Sequence, residues 1–288
     1  GMPVAVNLDG IERKRAKWNW VGRSWYLFGE ICSVLFASRM IADADVIRDY
    51  YRARYFRDSE VLRYGSQHLE SEVAQRKIAG HPQTVSDAAS QLFRELGVRS
   101  GSYILYVSRL EPENNAHRAI AAYNALEQDS RRIPLLIVGD APYSADYIAN
   151  LKREAGPGVI FAGYRFGEAY RTLQEHAFCY IQATEVGGTH PALVEAMGFA
   201  NCVIANRTPE HEEVLADAGL YYEKNDVPDL TRQLSRVLND SGVVLAKRKT
   251  ARARAEALFD WDKITSSYEE LFYRLTSVGS VGDGSRAR

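Results

Sequence analysis

The stretch Thr184-Glu185-Val186-Gly187-Gly188-Thr189-His190-Pro191-Ala192-Leu193-Val194-Glu195-Ala196-Met197 combines residue types suited to a phosphorylated, hydroxyl-bearing ligand. Paired glycines let the backbone turn tightly and approach a ligand without Cβ obstruction. Thr189 is placed to cap the following helix, and Pro191 suits its first turn, where an amide hydrogen would be unpaired anyway. Unpaired amides at a helix start attract anions, phosphate above all. Glu195 falls about one turn into that helix, where a carboxylate can accept hydrogen bonds from sugar hydroxyls. His190 stands beside the glycine pair. The plain alternative is an ordinary turn with Glu195 on a solvated face.

Three more turns carry comparable chemistry. Ser108-Arg109-Leu110-Glu111-Pro112-Glu113-Asn114-Asn115, Gly139-Asp140-Ala141 and Gly163-Tyr164-Arg165-Phe166-Gly167 each follow a short apolar run. Together with the glycine pair they offer a wall of amides, an arginine for a diphosphate and a carboxylate for a ribose.

The elements that must position these turns alternate in type. Six apolar runs read as strands: Tyr103 to Val107, Leu135 to Val138, Val159 to Phe161, Phe178 to Ile181, Cys202 to Ala205 and Leu220 to Tyr222. Helical spacing between them, as at Ala119, Ile120, Tyr123 and Leu126, predicts a doubly wound α/β sheet with ligands beyond the carboxyl ends of its strands. A shorter alternation precedes it: strands Pro3 to Leu8 and Met40 to Ala42, a further strand and turn over Val61 to Gly65, and helices over about 24–37 and 46–55. It starts abruptly, as though the first half of a domain were absent. Residues 1–80 therefore read as a partial N-terminal α/β domain, with a polar linker over about 70–84. Residues 81–263 read as the ligand-binding domain, 264–276 as a helix returning to the N-terminal part, and 277–288 as a disordered tail. Gly1 before Met2 looks like a remnant of an expression tag.

Composition excludes several classes. Over 288 residues the net charge is −1, which gives no bulk attraction to nucleic acid. Cys32, Cys179 and Cys202 form no CxxC pair, which argues against a disulfide framework or a zinc site and for a reducing, cytoplasmic compartment. No membrane span is expected, because Glu30 and Arg39 interrupt the longest apolar stretch. No glycine fingerprint for dinucleotides and no P-loop occurs. Asp43-Ala44-Asp45 matches a metal-binding D-x-D pattern but reads as a strand end followed by a helix cap, and the histidines have no ligand spacing, so no metal is expected. The basic, tryptophan-rich segment over 13–25 has two readings: contact with the inner face of a membrane or a lipid-linked acceptor, or a cleft-facing loop whose aromatics pack under the domain.

These residues resemble retaining glycosyltransferases of the GT-B fold, the family that includes sucrose, mannosyl and rhamnosyl transferases. The similarity lies in Ser108 to Asn115, Ile137-Val138-Gly139-Asp140, Phe161-Ala162-Gly163 and Gly187 to Met197. A bacterial rhamnosyltransferase-like subgroup for cell-surface polysaccharide is more similar still, through Asp9-Gly10-Ile11-Glu12-Arg13-Lys14-Arg15-Ala16-Lys17-Trp18, Pro112-Glu113-Asn114-Asn115 and Val186 to Met197. The resemblance implies transfer of a sugar, rhamnose in that subgroup, from a nucleotide-diphosphate donor to a saccharide or lipid-linked acceptor, with retention and without a metal or other cofactor. It implies donor contacts from Arg109, Asn114, Asn115, Gly139, Asp140, Gly163, Tyr164, Arg165, Gly187, Gly188, Thr189 and Glu195. Asp9, Glu185 and His190 are the candidates beside the transferred sugar. Two departures stand out. Asn114 occupies the place of a diphosphate-neutralising lysine, leaving Arg109 as the one cation of the motif. Gly187 occupies the place of the first of two glutamates, with Glu185 two residues away. The alternative function is a nucleotide-sugar-binding module inactive by itself, for want of a complete N-terminal domain.

Overall fold

The computed structural model describes residues 2–15, 18–66, 71–127 and 133–280. Two parallel sheets organise them. The first has strands β1 (Ala5–Leu8), β2 (Arg39–Ala42) and β3 (Glu60–Val61) in that order, joined by helices α1 (Trp20–Phe36) and α2 (Asp45–Tyr55). Helices α3 (Glu72–Ile78) and α4 (Asp87–Leu96) lead into the second sheet. Its strands are β4 (Ile104–Val107), β5 (Leu135–Val138), β6 (Val159–Gly163), β7 (Cys179–Gln182), β8 (Cys202–Asn206) and β9 (Leu220–Tyr222). They lie in the order β6-β5-β4-β7-β8-β9. Crossovers are supplied by α5 (Ala116–Asn124), α6 (Ala145–Glu154), α7 (Gly167–Glu175), α8 (Pro191–Gly198) and α9 (Pro209–Leu215). The chain closes with α10 (Val227–Asn239), α11 (Ser241–Leu258) and α12 (Trp261–Ser280).

The strands of the second sheet are apolar on both faces because helices cover both. Ile104, Tyr106, Ile137 and Ile204 face one buried cluster with α5 and α10, while Leu105, Val138, Tyr180 and Val203 face another with α8 and α11. In the order 3-2-1-4-5-6 the direction of winding reverses between β4 and β7, so a crevice opens outside their carboxyl ends. α12 returns to the first sheet, where Tyr268, Leu271 and Leu275 pack with Ile41 and Leu62.

Four sequence expectations are corrected. The polar linker contains α3, capped by Ser71 Oγ, which accepts from the Ala74 amide at 3.2 Å. Its Lys77 is fully buried and donates to Asn201 Oδ1 at 2.6 Å and to the Glu175 and Phe199 carbonyls, so this segment is docked on the second half. Of the strand and turn expected over Val61 to Gly65, only Val61 is strand, and the strand starts one residue earlier at Glu60. α12 remains helical through Ser280, beyond the expected start of the tail, and 281–288 lie outside the described residues. Finally, neither Asp43 nor Asp45 caps α2 through its side chain. Glu213 of α9 does so from across the molecule, accepting from the Asp45 amide at 2.7 Å and the Val46 amide at 2.8 Å.

Candidate active site between the two sheets

The strand ends meet as the turn chemistry requires. Gly139 has φ +135°, and a Cβ there would lie 1.9 Å from the Ser108 carbonyl oxygen, so the loops after β4 and β5 pack with backbone on backbone. Gly10, with φ +138°, does the same across the two halves: its Cβ would lie 3.1 Å from the Gly188 amide. A Cβ on Gly188 would in turn meet Asp43 Oδ2 at 2.3 Å. The glycine pair is therefore a joint between sheets as well as a turn.

Thr189 does not cap α8. The helix starts after His190 with Pro191 in its first turn and no side-chain cap. Thr189 gives its amide to Asp43 Oδ2 at 2.7 Å and its hydroxyl to the Asp43 carbonyl at 2.9 Å. Asp43 is buried, and burial pushes its carboxyl up to about 7 against the lowering effect of the Thr189 amide.

Three clefts lie at these strand ends, two of them between the halves. One of about 390 Å³ lies over β4–β6 and holds Gly139, Tyr164, Arg165 and Glu195 together with Arg109. Tyr164 and Phe166 stack there at 5.6 Å, both exposed. Glu195 accepts from the Tyr170 hydroxyl at 2.5 Å, and burial raises its carboxyl above the ordinary range. Arg165 turns its guanidinium to Glu95 at 2.8 Å. A second cleft, about 410 Å³, lies between the sheets and brings together Asp9, Arg15, Arg109 and Gly187. A third, about 720 Å³, holds Glu185 among Arg13, Lys14, Arg23 and Lys224.

The remaining candidates are placed differently. Asn114 is buried and donates to the Arg109 carbonyl at 2.8 Å, which shapes the loop. Asn115, left-handed at φ +61°, donates to the Ala183 carbonyl at 3.0 Å and so ties the β4 loop to the β7 loop. Asp140 accepts from the Ala141 amide at 2.8 Å within its own turn. Gly163 is left-handed at φ +68° and accepts from the Gly139 amide at 2.9 Å. Asp9 is exposed at the mouth of the second cleft.

His190 belongs to a polar layer beneath the glycine pair that the sequence did not disclose. Thr184 Oγ1 lies 3.1 Å from His190 Nε2 and 3.2 Å from His211 Nε2, and Gln182 donates to it at 2.5 Å. The His211 Nδ1 proton goes to the Asn206 carbonyl at 2.8 Å. Asn206 reaches Asn225 at 3.0 Å, and Asn225 donates to Glu185. Burial, then the neighbouring His211, pushes His190 down to about 3; burial pushes His211 down to about 4. Gln182, Asn206 and His211 sit at strand ends or helix starts where polar types in apolar runs were the available signal; Asn225 gave none.

Comparison with known proteins agrees with this geometry. Residues 91–257 match the family model described as "Glycosyl transferases group 1". The O-antigen chain mannosyltransferase B of Escherichia coli is 29% identical over 168 residues, 57% of this chain and 44% of that protein. The alpha-monoglucosyldiacylglycerol synthase of Streptococcus pneumoniae is 23% identical over 151 residues, 51% of this chain and 34% of that protein. The chain thus matches less than half the length of these relatives. In fold it is similar to the Anabaena protein HepE in complex with UDP-glucose, at TM-score 0.78 and 19% identity, over 94% of this chain and 72% of that one. Sucrose-phosphate synthase from Thermosynechococcus elongatus is similar at TM-score 0.74 and 19% identity, over 95% of this chain and 68% of that one. Two parallel sheets with a crevice at the switch point, the four strand-end loops and the match over 91–257 identify this chain as a member of the group 1 glycosyl transferases, with the GT-B fold.

Proposed function

We propose that the protein transfers a glycosyl residue from a nucleotide-diphosphate sugar to a saccharide or lipid-linked acceptor. The observation that carries this reading is the convergence, at one topological switch point, of Arg109, the Gly187–Gly188 turn and the half-buried Glu195. The HepE complexes with UDP and UDP-glucose support it as a likeness of fold. In this reading Glu195, oriented by Tyr170, receives the ribose hydroxyls, and the stacked Tyr164 and Phe166 flank the base. Arg109 and the loop amides neutralise the diphosphate as it leaves, a fixed electrostatic stabilisation that needs no metal. Asp9 in the second cleft and His190 against Gly187 border the position of the transferred sugar, and Glu185 faces the acceptor side through the 720 Å³ cleft. The proposal includes rhamnose as the sugar and retention of configuration, and a cytoplasmic site of action at the inner membrane face. Exposed Trp20, Trp25, Phe28, Leu35 and Phe36 on α1 motivate that last part.

Calorimetric titration with UDP, GDP and dTDP tests the reading: at least one binds a folded sample, and Glu195→Ala weakens that affinity by about tenfold, the worth of one or two hydrogen bonds. Binding of none overturns it. Product analysis with dTDP-rhamnose and GDP-mannose, recording anomeric configuration with and without chelator, tests the finer parts, and co-sedimentation with anionic vesicles tests the membrane contact. The second reading, a binding module without turnover, is favoured by the small three-stranded first sheet; product formed by this chain alone excludes it.

A further inference from the structure

The diphosphate reading leaves a charge deficit. A leaving nucleoside diphosphate carries more than one negative charge, while the β4 loop offers one cation, Arg109, and Asn114 is turned into its own loop. The structure supplies a second guanidinium from the other half of the molecule. Arg15 follows the short turn over Glu12–Lys14 and reaches across the junction until its side chain is 13% exposed. Its Nε pairs with Glu12 at 2.7 Å. Its Nη1 lies 3.7 Å from Glu111 Oε2 and 3.7 Å from Glu113 Oε1, beyond hydrogen-bond reach of either. That nitrogen is fully buried and has no hydrogen-bond partner among the described residues. Arg109 approaches the same Glu111 Oε2 at 3.8 Å.

Two guanidinium groups from different halves thus share one buried carboxylate oxygen and line one 410 Å³ cleft with the Gly187 backbone. The looseness matters. A structural arginine ordinarily closes bidentate bonds of about 2.7–2.9 Å to its carboxylate, whereas this one holds an N–H in reserve. We propose that Arg15 is a diphosphate-binding residue, forming with Arg109 a two-sided cationic clamp that grips the donor only when both halves of the molecule are present. This rests on the donor reading above and adds a group that the β4 loop does not contain. It also gives the first sheet a part in donor binding as well as in acceptor binding.

The test compares wild type, Arg15→Gln and Arg15→Lys in calorimetric titration with UDP, GDP and dTDP, and in ligand-observed NMR with the matching nucleosides. Expected are a loss of tenfold or more in diphosphate affinity for Arg15→Gln, partial recovery in Arg15→Lys, and nucleoside binding unchanged in both. Unchanged diphosphate affinity in Arg15→Gln overturns the proposal while leaving the donor reading intact. Equal loss of nucleoside and diphosphate binding in both variants makes Arg15 a structural residue and also overturns it. If wild type binds no nucleoside diphosphate, the donor reading itself fails and the clamp with it.

Discussion

The two sheets solve the same packing problem with different means. In the six-stranded sheet every strand but the edge strand β6 is buried almost throughout, and apolar contacts on both faces hold the loops at the switch point. In the three-stranded sheet α1 is turned the other way. Its one buried residue is Glu30, bonded to Arg13 and Tyr55, while Trp20 and Phe36 are 79% and 76% exposed. Much of what seats this part of the first half against the second is polar: Asp43 on Thr189 and Glu213 on the start of α2, with the Gly10–Gly188 approach between. An apolar interior tolerates small volume changes, whereas a polar seam depends on each partner and on proton balance. The first half should therefore come loose under milder changes than those that unfold the second.

Four substitutions sharpen that contrast. The largest effect belongs to the six-stranded half: Gly139→Ala drives a Cβ to 1.9 Å from a backbone oxygen at φ +135°, which should cost about 3–5 kcal/mol in thermal or urea unfolding. A loss under 1 kcal/mol would mean the β4 and β5 loops can part. At the seam, Asp43 titrates at about 7 when folded against 3.8 ordinarily, so the folded state holds its proton more tightly than the unfolded chain. That stabilisation is complete below about pH 4 and is lost as pH rises through about 7, by up to roughly 4 kcal/mol. Asp43→Asn should flatten the fall in stability over this window; an unaltered profile would assign the dependence elsewhere. Glu213→Ala removes both bonds to the α2 amides and the contact with Arg63, and should lower stability by about 1–2 kcal/mol, with faster amide exchange confined to the first turn of α2. The smallest effect is expected for Arg274→Ala. Its Nη2 donates to both oxygens of Glu60, but the pair is surface-exposed, so a change above about 1 kcal/mol would show it to be worth more than a solvated pair.

Where local pattern decides structure, the sequence was readable. The six apolar runs became six strands because both faces of a parallel sheet are covered, and Gly139 announced a turn that no other residue fits. Where long-range partners decide, it was not. Lys77 sits in a polar stretch that reads as linker, yet its Nζ finds Asn201 and two carbonyls more than 95 residues away in sequence. Thr189 has the type and position of a cap but is claimed by Asp43, 146 residues distant. The support of Glu185 passes through Asn225 and Asn206, each from a different strand end, and single polar residues at such places carry no periodicity to detect. Arg15 lies in a run of basic residues in which none is marked as the one that crosses the cleft.

The floor beneath the glycine turn has a consequence for how the site responds to its medium. His190 and His211 are held neutral down to about pH 3 and 4, with Thr184 between them. Histidines so placed cannot act as proton buffers in the physiological range, nor alter the potential felt by an anion above them. Across that range the attraction for a diphosphate should be set by guanidinium groups, which do not titrate there, and by Asp43 behind the glycine pair, which does. In the Asp43→Asn variant, which removes the carboxyl that titrates at about 7 beside Gly188 and Thr189, a nucleotide affinity that holds steady from pH 5.5 to 8, once the ligand's own ionisation is allowed for, would be the signature of that insulated floor.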